Sequence, residues 1–478
     1  MKYQLLTNKY STTVITIFFV AIRNMILIKY LINTLDFEQY GEWVLLNLLI
    51  ENFPYLLTLG VPYGIIRYSK GKINSEIYWT SFIFSINTGL FLLILIYWGS
   101  KASNVFAQFN SIDPNNITIF ILFGIIMFDI IILNAINFYR GALDFANFSY
   151  LTLMKRLISL VLIFMIFTLS NASIVNLLIG IFLSYGLVAI QFKSNIISKL
   201  KSFKFSLIKL KKLIIFGFPT VPNILILFLI WALDRFFLLS NFSYTEVTVY
   251  DSSSNIAYLI RLFLQPIIIF LPGIITKIFE DRGIFEFNSL LRKLIKYYTM
   301  IIFLLYILIV NNSKLLLIIL TNTEIMELAN QYVWRMCIAM ILYGYCILFS
   351  MGYFVEKKLY LETRNWLFSL IAYLLLNYLL IPIYDITGAI IALNICFVVY
   401  ICMSIQNISK YISFKYFCKI LISMTIGISL HGMTMFFDFS IFGSIIFTII
   451  EFLIIIIIFK KFVNYDELKS DLKIIFIK

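Results

Sequence analysis

The most restrictive feature of this chain is a recurrence: one predominantly apolar stretch follows another, each long enough to cross a bilayer. A helix spanning the hydrocarbon needs roughly 20 such residues. Fourteen runs reach that length, at about 12–33, 43–66, 78–98, 117–139, 151–169, 174–192, 213–239, 254–276, 293–310, 332–355, 365–383, 386–406, 416–436 and 441–459. Continuous runs predict helices, because a membrane barrel would show roughly ten-residue segments of alternating polarity. The composition is 62% hydrophobic and 13% charged, against about 45–50% and 25% in soluble domains. The expected fold class is therefore all-α, a polytopic membrane protein of about fourteen transmembrane helices. Lys2 and Lys9 precede the first run, but Arg23 interrupts it and no small-residue cleavage site follows. An uncleaved first span is expected.

Charge placement tests the count. With both termini cytoplasmic, 31 of the 38 basic residues fall on the inner side, from Lys2 and Lys9 through Arg67, Arg140, Lys155, Arg156 and the loop Lys193–Lys212 to the tail. Lys101 and Lys314 fall outside, with acids such as Asp36, Glu38, Glu42, Glu246, Asp251 and Asp438. That asymmetry is the positive-inside pattern, and a miscounted span would exchange the two sides. Both termini are therefore expected on the cytoplasmic side of the membrane. The formal charge of +14 then reflects topology and attraction to anionic membrane lipids rather than nucleic-acid binding.

Nothing points to a cofactor or a metal. Cys337, Cys346, Cys396, Cys402 and Cys418 lie in or beside apolar runs without a CxxC pair, and His431 has no ligand-like neighbour; all read as space-filling side chains. Gly71-Lys72 is followed by Ile73, so no phosphate-binding loop of the GxxxxGK[ST] type is present.

Six of the eight prolines fall in three runs: Pro54 and Pro62, Pro219 and Pro222, and Pro266 and Pro272. Proline removes a backbone donor and kinks a helix. Kinked spans at matching places in two halves are a sequence pointer to a transport site. These six are candidate hinges, and spans one and two correspond to seven and eight in a six-plus-six duplication. The division expected is 1–192, a basic amphipathic surface linker at 193–212, 213–406, and a peripheral pair with a cytoplasmic tail at 407–478.

Charges inside spans are costly and mark function or pairing. Arg23 is mid-span, and it either faces a cavity or pairs with a residue such as Glu51. Lys29 sits nearer the outer end, where its stem could snorkel. Arg261 lies two turns inside its run beside Pro266, and Arg335 opens span ten as an interface anchor or a further cavity cation. Asp234 and Arg235 are adjacent, point about 100° apart on a helix and need separate partners. Glu51, Asp129 and Glu451 stand as isolated acids, any of which could take a coupling ion; Glu51, Asp129, Asp234 and Arg235 form a candidate coupling or gating network.

With these residues in view, the chain resembles the Wzx-type polysaccharide (O-antigen) flippases of the multidrug/oligosaccharidyl-lipid/polysaccharide exporter superfamily. The resemblance rests on Glu38-Gln39-Tyr40-Gly41, Thr58-Leu59-Gly60 through Arg67, Gly217-Phe218-Pro219 with Val221-Pro222, Asp234-Arg235-Phe236-Phe237, Asn377-Tyr378-Leu379-Leu380-Ile381-Pro382 and Gly388-Ala389-Ile390-Ile391-Ala392. It implies two six-helix lobes around a V-shaped central cavity, with spans thirteen and fourteen peripheral. It also implies a lipid-linked oligosaccharide substrate whose pyrophosphate is held by Arg23, Lys29, Arg261 and Arg335. A polysaccharide polymerase and assembly proteins are the partners it implies. Related lipid II flippases carry a further basic residue in span two, where this chain has Glu51.

Two other functions compete. A cation-coupled drug exporter on the same fold would favour an acidic cavity, and the deep charges here are mostly basic. A membrane polymerase or glycosyltransferase would carry catalytic residues on a large outer loop. The longest outer connection, near Gly99–Asn116, has no carboxylate pair, and no enzyme active site is expected. The topology is testable: reporter fusions after Lys204, Lys358 and Tyr465 should report cytoplasm, and fusions near Asn110, Thr248 and Asn322 the outside. An external signal at Lys204 would break the fourteen-span reading.

Overall fold

A computed structural model describes residues 2–69, 74–103, 117–142, 144–199, 203–356 and 358–408. Spans thirteen and fourteen, Cys418, His431 and Glu451 lie outside them. Among the described residues the regular elements are all helices, and nine are long and apolar enough to cross a membrane. The chain divides into two compact units, Asn8–Thr248 and a second that runs from Val249 onward with Met1–Thr7.

The unit Asn8–Thr248 holds all but the first residues of α1 (Lys2–Thr34), then α2 (Phe37–Leu57), α3 (Val61–Ser69), α4 (Ser75–Ser103), α5 (Ile117–Gly141), α6 (Phe145–Leu169), α7 (Ile174–Lys199), α8 (Leu207–Gly217) and α9 (Val221–Asn241). Its centre is α5, which packs against α2, α3, α4, α6 and α7. Ile119, Leu122, Ile125, Ile126, Ile130 and Phe138 of α5 are buried, whereas Ile117 and Phe120 in its first turns are exposed.

The second predicted run is not one helix. It ends at Leu57 and restarts as α3, and between them Leu59 and Gly60 have positive φ of 50° and 70°. Pro54 sets this up from inside α2, and Thr58 turns its hydroxyl back onto the Pro54 carbonyl at 2.9 Å, giving that oxygen a partner. Pro62 then falls in the first turn of α3, where a missing N–H costs nothing. The same holds for Pro222, which opens α9 after the short 3-10 turn Phe218–Thr220 that contains Pro219.

These two breaks meet. A Cβ on Gly60 would lie 2.3 Å from the Gly217 carbonyl oxygen, and one on Gly217 would lie 2.4 Å from that of Gly60. Backbone touches backbone here, which only glycine permits. Likewise a Cβ on Gly41 would meet the Tyr244 carbonyl oxygen at 2.7 Å. α8 follows from the same packing. Leu213 is buried under Gly64, Lys209 pairs with Glu76, and the Ser206 N–H donates to Thr80 Oγ1 at 3.1 Å. Leu207, Ile208 and Ile215 remain exposed on its outer face, a mixture with Lys211 and Lys212 that suits a membrane interface.

α10 (Tyr244–Leu262) starts where the sequence suggests an outer loop. Ser252, Ser253, Ser254 and Asp251 are buried in it, with Ser253 and Ser254 bonded to the Tyr250 carbonyl at 2.8 and 2.7 Å. The eighth run is likewise interrupted: α10 stops at Leu262, a turn covers Phe263 and Leu264, and Pro266 lies in the first turn of α11 (Gln265–Asn311). Pro272 falls within α11, which breaks again at Gly283, φ 81°.

Beyond Val249 the centre is α13 (Thr323–Val355), packed against α11, α12 (Ser313–Leu320) and α14 (Leu359–Ile408). α14 folds back on itself at Asp385, φ 52°. Asn365 Nδ2 reaches Ser404 Oγ at 3.3 Å and Trp366 stacks on Tyr400 at 4.0 Å, whereas a straight helix at about 1.5 Å per residue would hold them some 50–60 Å apart. The two halves are the eleventh and twelfth predicted runs. Cys337, Cys346 and Cys396 are fully buried, and Cys402 is exposed.

The Gly60–Gly217 contact gives a direct test. Gly217 has helical φ and ψ of −79° and −42°, so alanine there meets only the steric clash. Gly217→Ala should lower the melting temperature of the purified protein markedly, by an overpacking cost of about 1–3 kcal/mol. Gly99→Ala, with nothing within 4 Å of the added carbon, should be neutral or mildly stabilising.

Candidate functional site

The strongest concentration of buried charge lies between α1, α2, α5 and α6. It arises because α6 is longer than its apolar run. Asp144 caps it, accepting from the Asn147 N–H at 3.3 Å and from Asn147 Nδ2 at 2.7 Å. That early start carries Lys155 and Arg156, expected from the sequence at the inner surface, into the middle of a membrane-length helix.

Both find acids there. Lys155 Nζ lies 2.7 Å from Asp129 Oδ1 of α5, with each side chain about nine-tenths buried (10% and 9% exposed), and sits 4.4 Å over the Tyr185 ring of α7. Arg156 grips Glu51 of α2 with both nitrogens, Nη1 to Oε1 at 2.7 Å and Nη2 to Oε2 at 3.1 Å. The parallel fork is the strong geometry for a guanidinium and a carboxylate. The two acids expected to stand alone are therefore each ion-paired, and the residues that pair them are ones the sequence reading placed elsewhere. Two features of the sequence could have found them: the Asp144 cap, and the number of deep acids lacking a base.

Arg23 is also brought here, but not as an acid's partner. It is 5% exposed. Its Nε donates to the Arg156 carbonyl at 2.8 Å, its Nη1 to Asn24 Oδ1 at 3.0 Å, and its Nη2 to Ser159 Oγ, which itself donates to the Arg156 carbonyl at 2.8 Å. Every one of these acceptors is neutral, and Glu51 has gone to Arg156. Among the described residues the cluster thus holds three cations and two carboxylates, with Arg23 the surplus charge. Desolvated charge without a counter-ion is disfavoured by several kcal/mol, so an arrangement of this kind suits the arrival of an anion.

The remaining candidates distribute as follows. Lys29 is half-buried on α1 beyond Arg23. Asp234 and Arg235 lie on α9, 0% and 2% exposed. They contact each other, contrary to expectation: Arg235 Nη1 comes within 3.3 Å of Asp234 Oδ1 while bonding the Trp231 carbonyl at 2.8 Å, and the Arg235 N–H donates to the same carboxylate oxygen at 2.8 Å. The long arginine stem curls back along the helix, which overcomes the 100° separation of the Cβ directions.

In the unit beyond Val249, Arg261 stands in the last turn of α10, not two turns inside an unbroken span. Its guanidinium carbon is 5.2 Å from the Tyr343 ring centre and 5.9 Å from that of Tyr258. Arg335 donates to Thr387 Oγ1 at 3.2 Å and lies 5.0 Å over Trp334. Both cations rest on aromatic faces, a favourable setting for a guanidinium.

Separating the sealed pair from the surplus charge is a matter of measurement. Asp129→Asn should strand Lys155 and cost about 3–5 kcal/mol, visible as a large drop in melting temperature in detergent. The double variant Asp129→Leu with Lys155→Met should recover most of it. Additive losses in the double variant would mean that the pair is not what holds α5 to α6.

Set against proteins of known structure, the chain is similar to "Lipid II flippase MurJ, inward closed conformation", with a TM-score of 0.71 over 95% of this chain and 98% of that one, at 16% identity. It is also similar to a multidrug resistance MATE family transporter of the MOP superfamily, in the outward-facing conformation at a TM-score of 0.61 and 13% identity over 85% and 96% of the two chains. In the inward-facing conformation the values are 0.60, 14%, 83% and 95%. No protein-family model matches the sequence, and no curated protein matches it. At these identities the likeness is one of fold: the all-helical membrane fold of the MOP flippases and MATE transporters.

Proposed function

We propose that this chain is a flippase of the Wzx type, moving an undecaprenyl-diphosphate-linked oligosaccharide from the inner to the outer leaflet of the bacterial cytoplasmic membrane by alternating access. O-antigen, capsule or another surface polysaccharide would be the product pathway, with a polymerase and assembly proteins downstream. The observation that carries this reading is the surplus cation at Arg23. A diphosphate entering a low-dielectric site needs cations to replace its lost water, and a guanidinium grips phosphate oxygens while staying charged at any relevant pH. Lys29 on α1 is proposed to serve the same headgroup, and in the unit beyond Val249 Arg261 and Arg335, on their aromatic faces, are proposed as further substrate-binding cations.

The fold likeness to a lipid II flippase supports a lipid-linked substrate, and the likeness to MATE transporters supports alternating access. A cationic drug as substrate is disfavoured by the sign of the buried charge. The breaks at Thr58–Gly60, Gly217–Thr220 and Phe263–Leu264, with Pro54, Pro62, Pro219, Pro222 and Pro266 in or beside them and Pro272 farther along α11, are proposed as the flexing points. Ion coupling at Asp129, Glu51 or the Asp234–Arg235 pair would require a proton or cation to compete with the arginine or lysine each carboxylate already holds. Outward movement of an anion along a negative-inside potential is itself favourable by about 2.3 kcal/mol per charge per 100 mV.

Structural and substrate roles of Arg23 predict opposite stabilities. Arg23→Ala should abolish export of the lipid-linked oligosaccharide in a strain lacking other flippases, while membrane levels and melting temperature stay near wild type. Arg23→Lys should restore part of the export. Full export by Arg23→Ala and Arg261→Ala at normal expression would show that the substrate's charge is handled elsewhere.

A further inference from the structure

The two ion pairs of the cluster differ in a way that their chemistry does not require. Lys155–Asp129 is sealed, whereas the Arg156 and Glu51 side chains are 23% and 35% exposed. Arg156 lies midway along a helix long and apolar enough to cross a membrane and Glu51 lies within the 21-residue α2, and an ionised pair open to that degree cannot face hydrocarbon, where nothing would solvate it. The open side therefore meets water or a polar ligand. Arg23 is held next to it, bonded to the Arg156 carbonyl and to Ser159.

We propose, building on the diphosphate reading above, that Arg156 is a headgroup-binding residue and Glu51 its resident counter-ion. A substrate phosphate displaces the Glu51 carboxylate from the Arg156 fork, and Glu51 returns when the phosphate leaves. Carboxylate and phosphate present a guanidinium with the same paired acceptor oxygens, so the exchange conserves both hydrogen bonds at Arg156. The empty site never exposes Arg23 and Arg156 together without an anion. Affinity is held down by the carboxylate that must be displaced, which lets the headgroup depart. The exchange also has a mechanical consequence. Glu51 belongs to α2 and Arg156 to α6, so phosphate binding unties α2 from α6 two turns before the break at Thr58–Gly60.

The test uses the full-length protein in neutral-lipid nanodiscs, with geranylgeranyl diphosphate as the probe and geranylgeraniol as the uncharged control. Inorganic pyrophosphate separates headgroup from lipid binding. Wild type should prefer the diphosphate to the alcohol. Glu51→Gln, which keeps the shape and removes the charge, should bind the diphosphate at least tenfold more tightly, and Arg156→Gln at least tenfold more weakly. In the double variant the tightening should vanish. Because Glu51→Gln leaves Arg156 uncompensated, the diphosphate should also raise its melting temperature by more than it raises that of wild type, a difference that a merely structural glutamate would not produce. Glu51→Asp, which keeps the charge but shortens the reach, should fall between the two if the glutamine variant is too unstable to purify. Preference for the diphosphate in wild type, with no tightening in Glu51→Gln or Glu51→Asp, would overturn the counter-ion role and leave the substrate reading standing. Equal binding of diphosphate and alcohol by wild type would overturn both.

Discussion

Charge buried at the depth of a bilayer has to be answered by other charge, and much of the unit Asn8–Thr248 is arranged to answer it. Lys155 and Arg156 are consecutive on α6 and so point to different sides; one reaches α5 through Asp129 and the other α2 through Glu51. Two adjacent residues thus tie three helices, and the tie is specific because each carboxylate has one cation within bridging distance among the described residues. Buried pairs of this kind contribute little net stability compared with apolar replacements, but losing one partner is costly. Their value lies in fixing which face of α6 meets which neighbour. With both carboxylates taken, the third cation, Arg23, is left to amides, hydroxyls and carbonyls.

The same scarcity of solvent governs the backbone. A helix broken inside a membrane frees carbonyls and amides that lipid cannot satisfy. Where this chain breaks, it does so against other parts of itself. Thr58 covers the Pro54 carbonyl, Thr220 Oγ1 donates to the Gly217 carbonyl at 2.6 Å, and Gly60 and Gly217 press their backbones together. Proline after a break and glycine at the contact are complementary choices: the first needs no donor, the second needs no room. Three interrupted runs thereby remain compatible with burial, which uninterrupted helices would achieve without any such devices. That expense is understandable if the breaks serve movement.

How much of this could be seen in the sequence varied with the kind of signal. Twelve apolar runs fall on described helices, since about twenty predominantly apolar residues in a row have few other uses. The motifs around Gly41, Gly60 and Gly217 are explained by close backbone approach, though nothing in the sequence says that Gly60 faces Gly217. Hydropathy failed where polar residues satisfy one another inside the protein. α10 reads as a loop because its run of polar residues hides a helix in which Ser253 and Ser254 bond their own backbone, and the start of α6 is hidden because Lys155 and Arg156 look like the end of a span. Arg23, Glu51 and Asp129 were recognisable as deep charges; their pairing was not, because partners on separate helices leave no trace in spacing. For Asp234 and Arg235 the direction of Cβ misled, since a side chain as long as arginine's can return along its own helix.

Fold alone does not choose a substrate, for flippases of lipid-linked sugars and exporters of drugs share this architecture. In the reading proposed above, the sign of the uncompensated charge is what favours an anionic substrate, and it also bears on energetics. With Glu51 and Asp129 ionised the empty cluster carries one net positive charge. A lipid-linked diphosphate brings about two negative charges, each phosphate contributing one acidic oxygen, so the loaded cluster becomes net negative. On the proposed cycle the negative, loaded state moves outward and the positive, empty state moves inward. A negative-inside potential favours both steps, by about 2.3 kcal/mol per 100 mV for each unit charge carried fully across. Had Arg23 been neutralised by a third carboxylate, the empty return would gain nothing from the potential. Had the site been acidic, the return would be opposed. On the proposed cycle, one arginine without a carboxylate partner would serve two ends, holding the headgroup on the way out and drawing the vacant site back.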